Sequence, residues 1–238
     1  MKEICRIVAG SRLYGLETPD SDTDTRGVFL CTDPSEIIGL SRRDIIKSGS
    51  EDSLFLEFRH YLLQLKKTNS FAMELLFAEG FENIAEEFKV VRLNRLRLID
   101  SERLFSSLMG YISSERRLAN GERTGALGGK RKSQIDKFGF SPKNFSHLLR
   151  LAHCGELFFK TSFYPTRIED RTVRDLIFSV KTEPEKFSIE ELNLMSDDAV
   201  ARLKAAYDRR KESLNFDASL ANKLCFDFYF PILMEESK

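Results

Sequence analysis

Three aspartates, Asp20, Asp22 and Asp24, stand at alternate positions in the stretch TPDSDTDTRGVFL, where the chain runs into an apolar segment from Gly27 to Cys31. If that segment is a strand, Asp22 and Asp24 share a face, because side chains at i and i+2 of a pleated strand point the same way. Two neighbouring carboxylates repel unless something positive lies between them. For hard oxygen ligands the common partner is a divalent cation such as Mg²⁺, which takes one or two carboxylates together with substrate phosphates. Upstream, Gly10 and Ser11 interrupt an apolar strand from Ile4 to Ala9. Glycine lets the backbone approach a ligand closely, and amides that open a helix favour anions. An anion-receptive turn facing an acidic pair suits a nucleoside triphosphate. The string PDSDTD also reads as a solvated turn, being made of residues that favour one.

The longer string narrows this choice. Gly10-Ser11, then Tyr14-Gly15, then Ser21-Asp22-Thr23-Asp24-Thr25-Arg26-Gly27-Val28 resembles the signature of the DNA polymerase beta nucleotidyltransferase superfamily. The likeness is greatest to its branch associated with RNA ligases and RNA repair, and it extends from Ala9 through the region of Phe159. The resemblance implies that Gly10 and Ser11 hold the triphosphate, that Ser21 and Arg26 belong to the nucleotide site, and that Asp22 and Asp24 bind two Mg²⁺ ions. It also implies a third carboxylate opening a later strand. Asp52 matches that position by its spacing to Arg59-His60-Tyr61 and Asn69, with Glu57 as the competing candidate. A family block reading Asn-Pro, then a helix ending Glu-Leu-Leu, is matched from Asn69 to Leu76 with Ser70 in place of the proline; serine there would serve as the helix N-cap. Lys143, His147 and Arg150 recur at i, i+4 and i+7, on one side of a helix, and resemble a family Lys…His…Arg helix that faces the nucleotide.

The elements that must position these groups follow from periodicity. Ser53 to Phe58 alternates as a strand and His60 to Lys67 continues as a helix. Asp33 before Pro34 marks a helix start, Ser101 caps a helix to Arg117, and Ser188 with Glu191 forms a capping box. Asp197 is expected to cap an amphipathic helix reaching Leu214, and the apolar tail from Leu220 to Met234 is expected to dock. Asn120 to Gly139 holds five of the 13 glycines and five basic residues, which reads as a loop between two halves. Within it Lys130, Arg131 and Lys132 are candidates to close over a triphosphate or an RNA backbone; a solvated linker is the equal alternative. The expected fold is α/β (α+β): a small mixed sheet carrying the carboxylates, followed by a mainly helical C-terminal half. The expected division is a catalytic domain over 1–118, a basic Gly-rich linker over 119–139 and a helical region over 140–238.

Composition sets the outer limits. The chain has 238 residues, 42% of them hydrophobic, with 20 Phe and no Trp, which fits a Phe-rich core. Its 37 basic and 37 acidic residues cancel, whereas a dedicated nucleic-acid binder carries a positive excess. Extensive RNA binding is therefore not expected, but a nucleotide or an RNA end is compatible with local patches. Cys5, Cys31, Cys154 and Cys225 are scattered in apolar surroundings without a CxxC pair, as in a reduced, cytoplasmic protein. No apolar run is long enough to span a bilayer, and no membrane partner is expected. The resulting expectation is an Mg²⁺-dependent transfer of a nucleoside monophosphate from an NTP to an RNA end, tRNA among the candidates, with a functional link to an RNA ligase. The alternatives are transfer to a protein or small molecule, and a non-catalytic RNA- or partner-binding module on the same fold.

Overall fold

Alternating strand residues near the N-terminus assemble one sheet, and the helices that follow are largely amphipathic. The computed structural model describes residues 1–41, 43–48, 52–122 and 129–235, with backbone alone at 47, 48, 52 and 129–131. In chain order the elements are β1 (Lys2–Val8), α1 (Gly10–Tyr14), β2 (Asp24–Leu30), α2 (Pro34–Ile37), β3 (Ile45–Ser48), β4 (Asp52–Glu57), α3 (Phe58–Lys66), α4 (Ser70–Phe77), β5 (Asn83–Ile84) and α5 (Glu86–Leu93). A 3₁₀ turn (Arg95–Leu98) leads to α6 (Ser101–Ala119), α7 (Gly129–Phe138), α8 (Pro142–Thr161), α9 (Arg171–Thr182), α10 (Ile189–Arg209) and α11 (Ala218–Glu235). The fold is mixed α/β, a five-stranded sheet followed by a mainly helical C-terminal half, as expected.

The sheet order is β3-β4-β2-β1-β5. β2 pairs antiparallel with β1 and parallel with β4, so it lies at the centre. Gly27 is the close-packing point of this centre: a Cβ there would run into the Phe55 ring of β4 and meet the Cys5 carbonyl of β1 at 2.5 Å. The chain divides into two compact units, Met1–Leu104 with Ser213–Lys238, and Phe105–Glu212. The first holds the sheet, with Phe58 against Phe228 of α11 (ring centroids 5.0 Å apart) and Tyr61 against Phe88 of α5 (5.6 Å). Thus the apolar tail docks as a helix in the unit that carries the sheet. In the second unit α8 packs on α9 and α10. Gly155 lets this packing tighten, since a Cβ there would sit 2.7 Å from Leu108 Cδ1 and 2.9 Å from Leu203 Cδ1. The described residues of the stretch 119–139 fall inside this second unit.

Several local expectations are corrected. The stretch read as a loop after Asn120 contains helix α7; residues 123–128 lie outside the described residues. Asn69, not Ser70, caps α4: its Oδ1 accepts the Phe71 amide at 2.9 Å, and Ser70 occupies the first helical position, where proline is also well suited. Asp100 takes the capping role given to Ser101, accepting from the Arg103 amide at 2.9 Å, while Ser101 Oγ and the Leu214 backbone bond each other. Asp197 lies mid-helix in α10 and pairs with Arg116. Asp33 and Ser188 cap as read.

Candidate active site

The Gly-Ser break forms a single short helix, α1, between the ends of β1 and β2. The Ala9 amide donates to the Asp24 carbonyl at 2.8 Å, holding the first residue after β1 against the start of β2. Gly10 then adopts φ +64°, in the left-handed region that disfavours a side chain. A Cβ at Gly10 would overlap Asp24 Oδ2. The glycine therefore serves two purposes, the turn and the close approach of the backbone to a carboxylate. No side chain caps the start of α1, and Gly15 closes it at φ 70°. Tyr14 is buried and its hydroxyl donates to Glu74 Oε1 of α4 at 2.7 Å, anchoring α1 to the block that follows Asn69.

The acidic link is ordered by its neighbours. Ser21 Oγ accepts the Thr18 amide at 2.8 Å and the Ser21 amide returns to the Thr18 carbonyl at 2.9 Å, closing a small turn. Arg12 of α1 donates to the Ser21 carbonyl at 3.0 Å. Ser21 thus shapes the link that presents Asp22. Asp22 is exposed and precedes β2, which begins at Asp24; the strand rule that predicted a shared face for the pair does not govern it. Asp24 is half-buried, and its register partner across the parallel ladder is Asp52, the first residue of β4. Adjacent strands lie about 4.7–4.9 Å apart, so two aspartate positions adjoin at one end of the sheet, beside Gly10. Arg26, two residues along β2, lies over the Phe71 ring at 5.6 Å, at the start of α4.

Glu57 stands at the other end of β4, in register with Phe29. It is fully buried and caps α3, accepting the Arg59 and His60 amides at 3.0 and 3.2 Å. Arg59 Nε pairs with it at 3.1 Å and the Tyr229 hydroxyl of α11 donates to it. Burial first, then the neighbouring Glu57, pushes the Tyr229 phenol far above its ordinary range. Every lone-pair direction of Glu57 is thus engaged in holding α3 and α11 on the sheet. Of the two candidates for a third carboxylate, only Asp52 adjoins Asp24.

Lys143, His147 and Arg150 lie on α8, in the second unit, with Lys143 exposed and the other two half-buried. His147 Nδ1 is 3.3 Å from Glu115 Oε2. The same oxygen accepts from Asn144 Nδ2 at 2.6 Å, and Ser141 Oγ donates to Asn144 Oδ1 at 2.6 Å. This chain from Ser141 to His147 was not read from the sequence, since Glu115 sits on a different helix. Lys132 is exposed on α7; the side chains of Lys130 and Arg131 lie outside the described residues.

A family model described as the RNA repair pathway DNA polymerase beta family matches residues 2–167. The chain belongs to that family. The match covers the sheet, the Gly10 turn, Asp22, Asp24 and the whole of α8. Membership joins the chain to polymerase-beta-like nucleotidyltransferases of RNA repair. No curated protein and no solved structure matches the chain. Among the described residues no helix is long and apolar enough to cross a membrane.

The donor set at this end of the sheet consists of carboxylate oxygens and backbone amides, which suits Mg²⁺ and phosphate. The space a Cβ of Gly10 would fill is taken by Asp24 Oδ2, so the glycine is what lets this carboxylate lie directly against the backbone of the turn. Among the described side chains, which exclude that of Asp52, no group of three or more His, Cys, Asp or Glu is gathered for a metal. Cys5, Cys31 and Cys154 are buried; burial pushes Cys31 up to about 12, which makes it a poor nucleophile.

Proposed function

We propose that this member of the family transfers a nucleoside monophosphate from an NTP to a hydroxyl at an RNA end. The observation that carries the reading is the adjacency of Gly10, Asp24 and the Asp52 backbone position at one end of the sheet. Asp22, Asp24 and Asp52 would hold Mg²⁺, which when bound neutralises phosphate charge and lowers the pKa of a coordinated hydroxyl. Gly10 and Ser11 bind the β- and γ-phosphates through the opening amides of α1. Ser21 and Arg12 fix the link so that Asp22 is presented from a set position. The acceptor hydroxyl gives up its proton to solvent, its oxygen forms a bond to the α-phosphorus as the bond from that phosphorus to the bridging oxygen breaks, and pyrophosphate leaves with the bridging oxygen. Positioning and charge neutralisation are most of what such a transfer asks of a protein. Arg26 and the α8 trio Lys143, His147 and Arg150 are read as nucleotide contacts through the family likeness alone.

The balance of 37 basic against 37 acidic residues favours a second reading, in which the acceptor is a protein or small molecule. Incubation with each α-labelled NTP, Mg²⁺ and total RNA separates the two. Label in RNA, lost in Asp22→Asn/Asp24→Asn, supports the first; label on protein moves the assignment to the second. Absence of any Mg²⁺-dependent nucleotide binding would overturn both.

A further inference from the structure

At the C-terminal ends of α8 and α10 the second unit has a cleft of about 720 Å³. Lys160, Arg202, Arg209, Arg210 and Lys211 line it, opposed by the carboxylates of Glu156 and Glu212. In a chain whose charges cancel overall, this is a local positive excess.

The cations are not equally occupied. Lys160 and Arg202 share one carboxylate, Glu156, at 2.5 and 3.2 Å. Burial alone would raise the Glu156 carboxyl, but hydrogen bonds from Lys160 and Arg202 outweigh it and hold the group below its ordinary value. It is therefore ionised at neutral pH and offsets one of its two partners, and Asp198, which also pairs with Arg202, offsets the other. Arg210 is fixed in the wall, donating to the Glu212 carbonyl at 2.8 Å, the Phe158 carbonyl at 3.3 Å and Ser162 Oγ at 3.0 Å. Arg209 and Lys211 are exposed and form no ion pair among the described residues. A cation in the last turn of a helix complements its carbonyl end, which would account for Arg209. It accounts equally for Lys160 in the last turn of α8, but not for Lys211, beyond the end of α10.

We propose that this cleft binds the phosphate backbone of an RNA strand. Guanidinium groups match phosphate oxygens with paired donors, and a fixed one such as Arg210 loses little freedom on binding. Residues 202–212 lie beyond the stretch matched by the family, so the cleft is not built from the matched region alone. The choice of RNA rests on the proposed function; the cleft would hold the body of the acceptor rather than its reacting end.

The test is fluorescence anisotropy of the full chain with a labelled single-stranded RNA, without NTP or metal. Failure of nucleotidyl transfer therefore cannot produce a negative result here. Arg209→Ser/Lys211→Ser removes the two exposed cations, and Lys66→Ser/Lys67→Ser, at the exposed end of α3, makes the same change of charge elsewhere. The proposal expects about tenfold weaker binding near 0.1 M salt for the first pair, and a salt slope shallower by roughly 1.4, at about 0.7 per lost single-strand contact. The second pair should change affinity less than about twofold. Equal affinity for the wild type and the first pair, or equal losses in both pairs, would overturn it. Displacement of the RNA by free ATP in a manner that needs Arg209 and Lys211 would reassign the cleft to a nucleotide. Binding of polyglutamate with the same dependence would reassign it to an acidic protein partner.

Discussion

The two ends of the β2–β4 pair treat carboxylates in opposite ways. At one end Glu57 is fully buried and engaged by two backbone amides, a guanidinium and a phenol. At the other, Asp22 is exposed, Asp24 is half-buried, and Asp24 has another aspartate position as its register neighbour. A buried carboxylate survives only when its partners replace the lost water. Glu57 has those partners, and they come from the same unit: α3, which it caps, and α11. The aspartate end gathers negative charge on adjoining strands and the link before them. The same ladder thus carries a structural carboxylate and a candidate catalytic set, told apart by their surroundings rather than by residue type.

The comparison can be broken most severely at Glu57. Glu57→Ala would leave Arg59 partly buried without its carboxylate and α3 without its cap, at about 3–5 kcal/mol. Chemical denaturation of the purified protein should show a loss of that size; a loss below about 1 kcal/mol would mean that the cluster is not structural. Gly10→Ala comes next. It places a Cβ onto Asp24 Oδ2 at φ +64°, with an expected cost of about 1–3 kcal/mol for the backbone alone, and NTP binding should fall by more than stability does. Wild-type affinity in Gly10→Ala would remove the turn from the site. The smallest expected effect sharpens the picture without touching a carboxylate. Asn69→Ala removes the α4 cap and should cost about 1 kcal/mol, read as a lower melting temperature with nucleotide affinity kept.

Much of the aspartate end was legible in the sequence because its signals are local. A glycine-serine break, a polar link and a strand follow one another within one short stretch, and Asp33 and Ser188 announce helix starts by neighbouring residues. The rest depends on distant partners. Parallel pairing sets Asp24 beside Asp52 through a crossover, so no local pattern fixes the register, and Glu57 stayed a competitor until that register was known. Its partner Tyr229 is 172 residues away. Tyr14 with Glu74, and His147 with Glu115, are likewise joined by folding rather than by spacing. The misread caps have a simpler origin. Serine, aspartate and asparagine all suit the start of a helix, so where two adjoin, as at Asn69-Ser70 and Asp100-Ser101, composition does not choose between them.

The central claim is that the aspartate end of the sheet is kept for a metal-bound nucleotide and not for the fold. Calorimetric titration of NTP into the wild type and Asp24→Asn, each with and without Mg²⁺ and each with its melting temperature recorded, tests it most directly. The account predicts Mg²⁺-dependent binding that Asp24→Asn weakens at least about tenfold, a difference of about 1.4 kcal/mol, while stability stays within about 0.5 kcal/mol of the wild type. Binding that is indifferent to Mg²⁺ and to the substitution, or a variant that loses its fold, would contradict it.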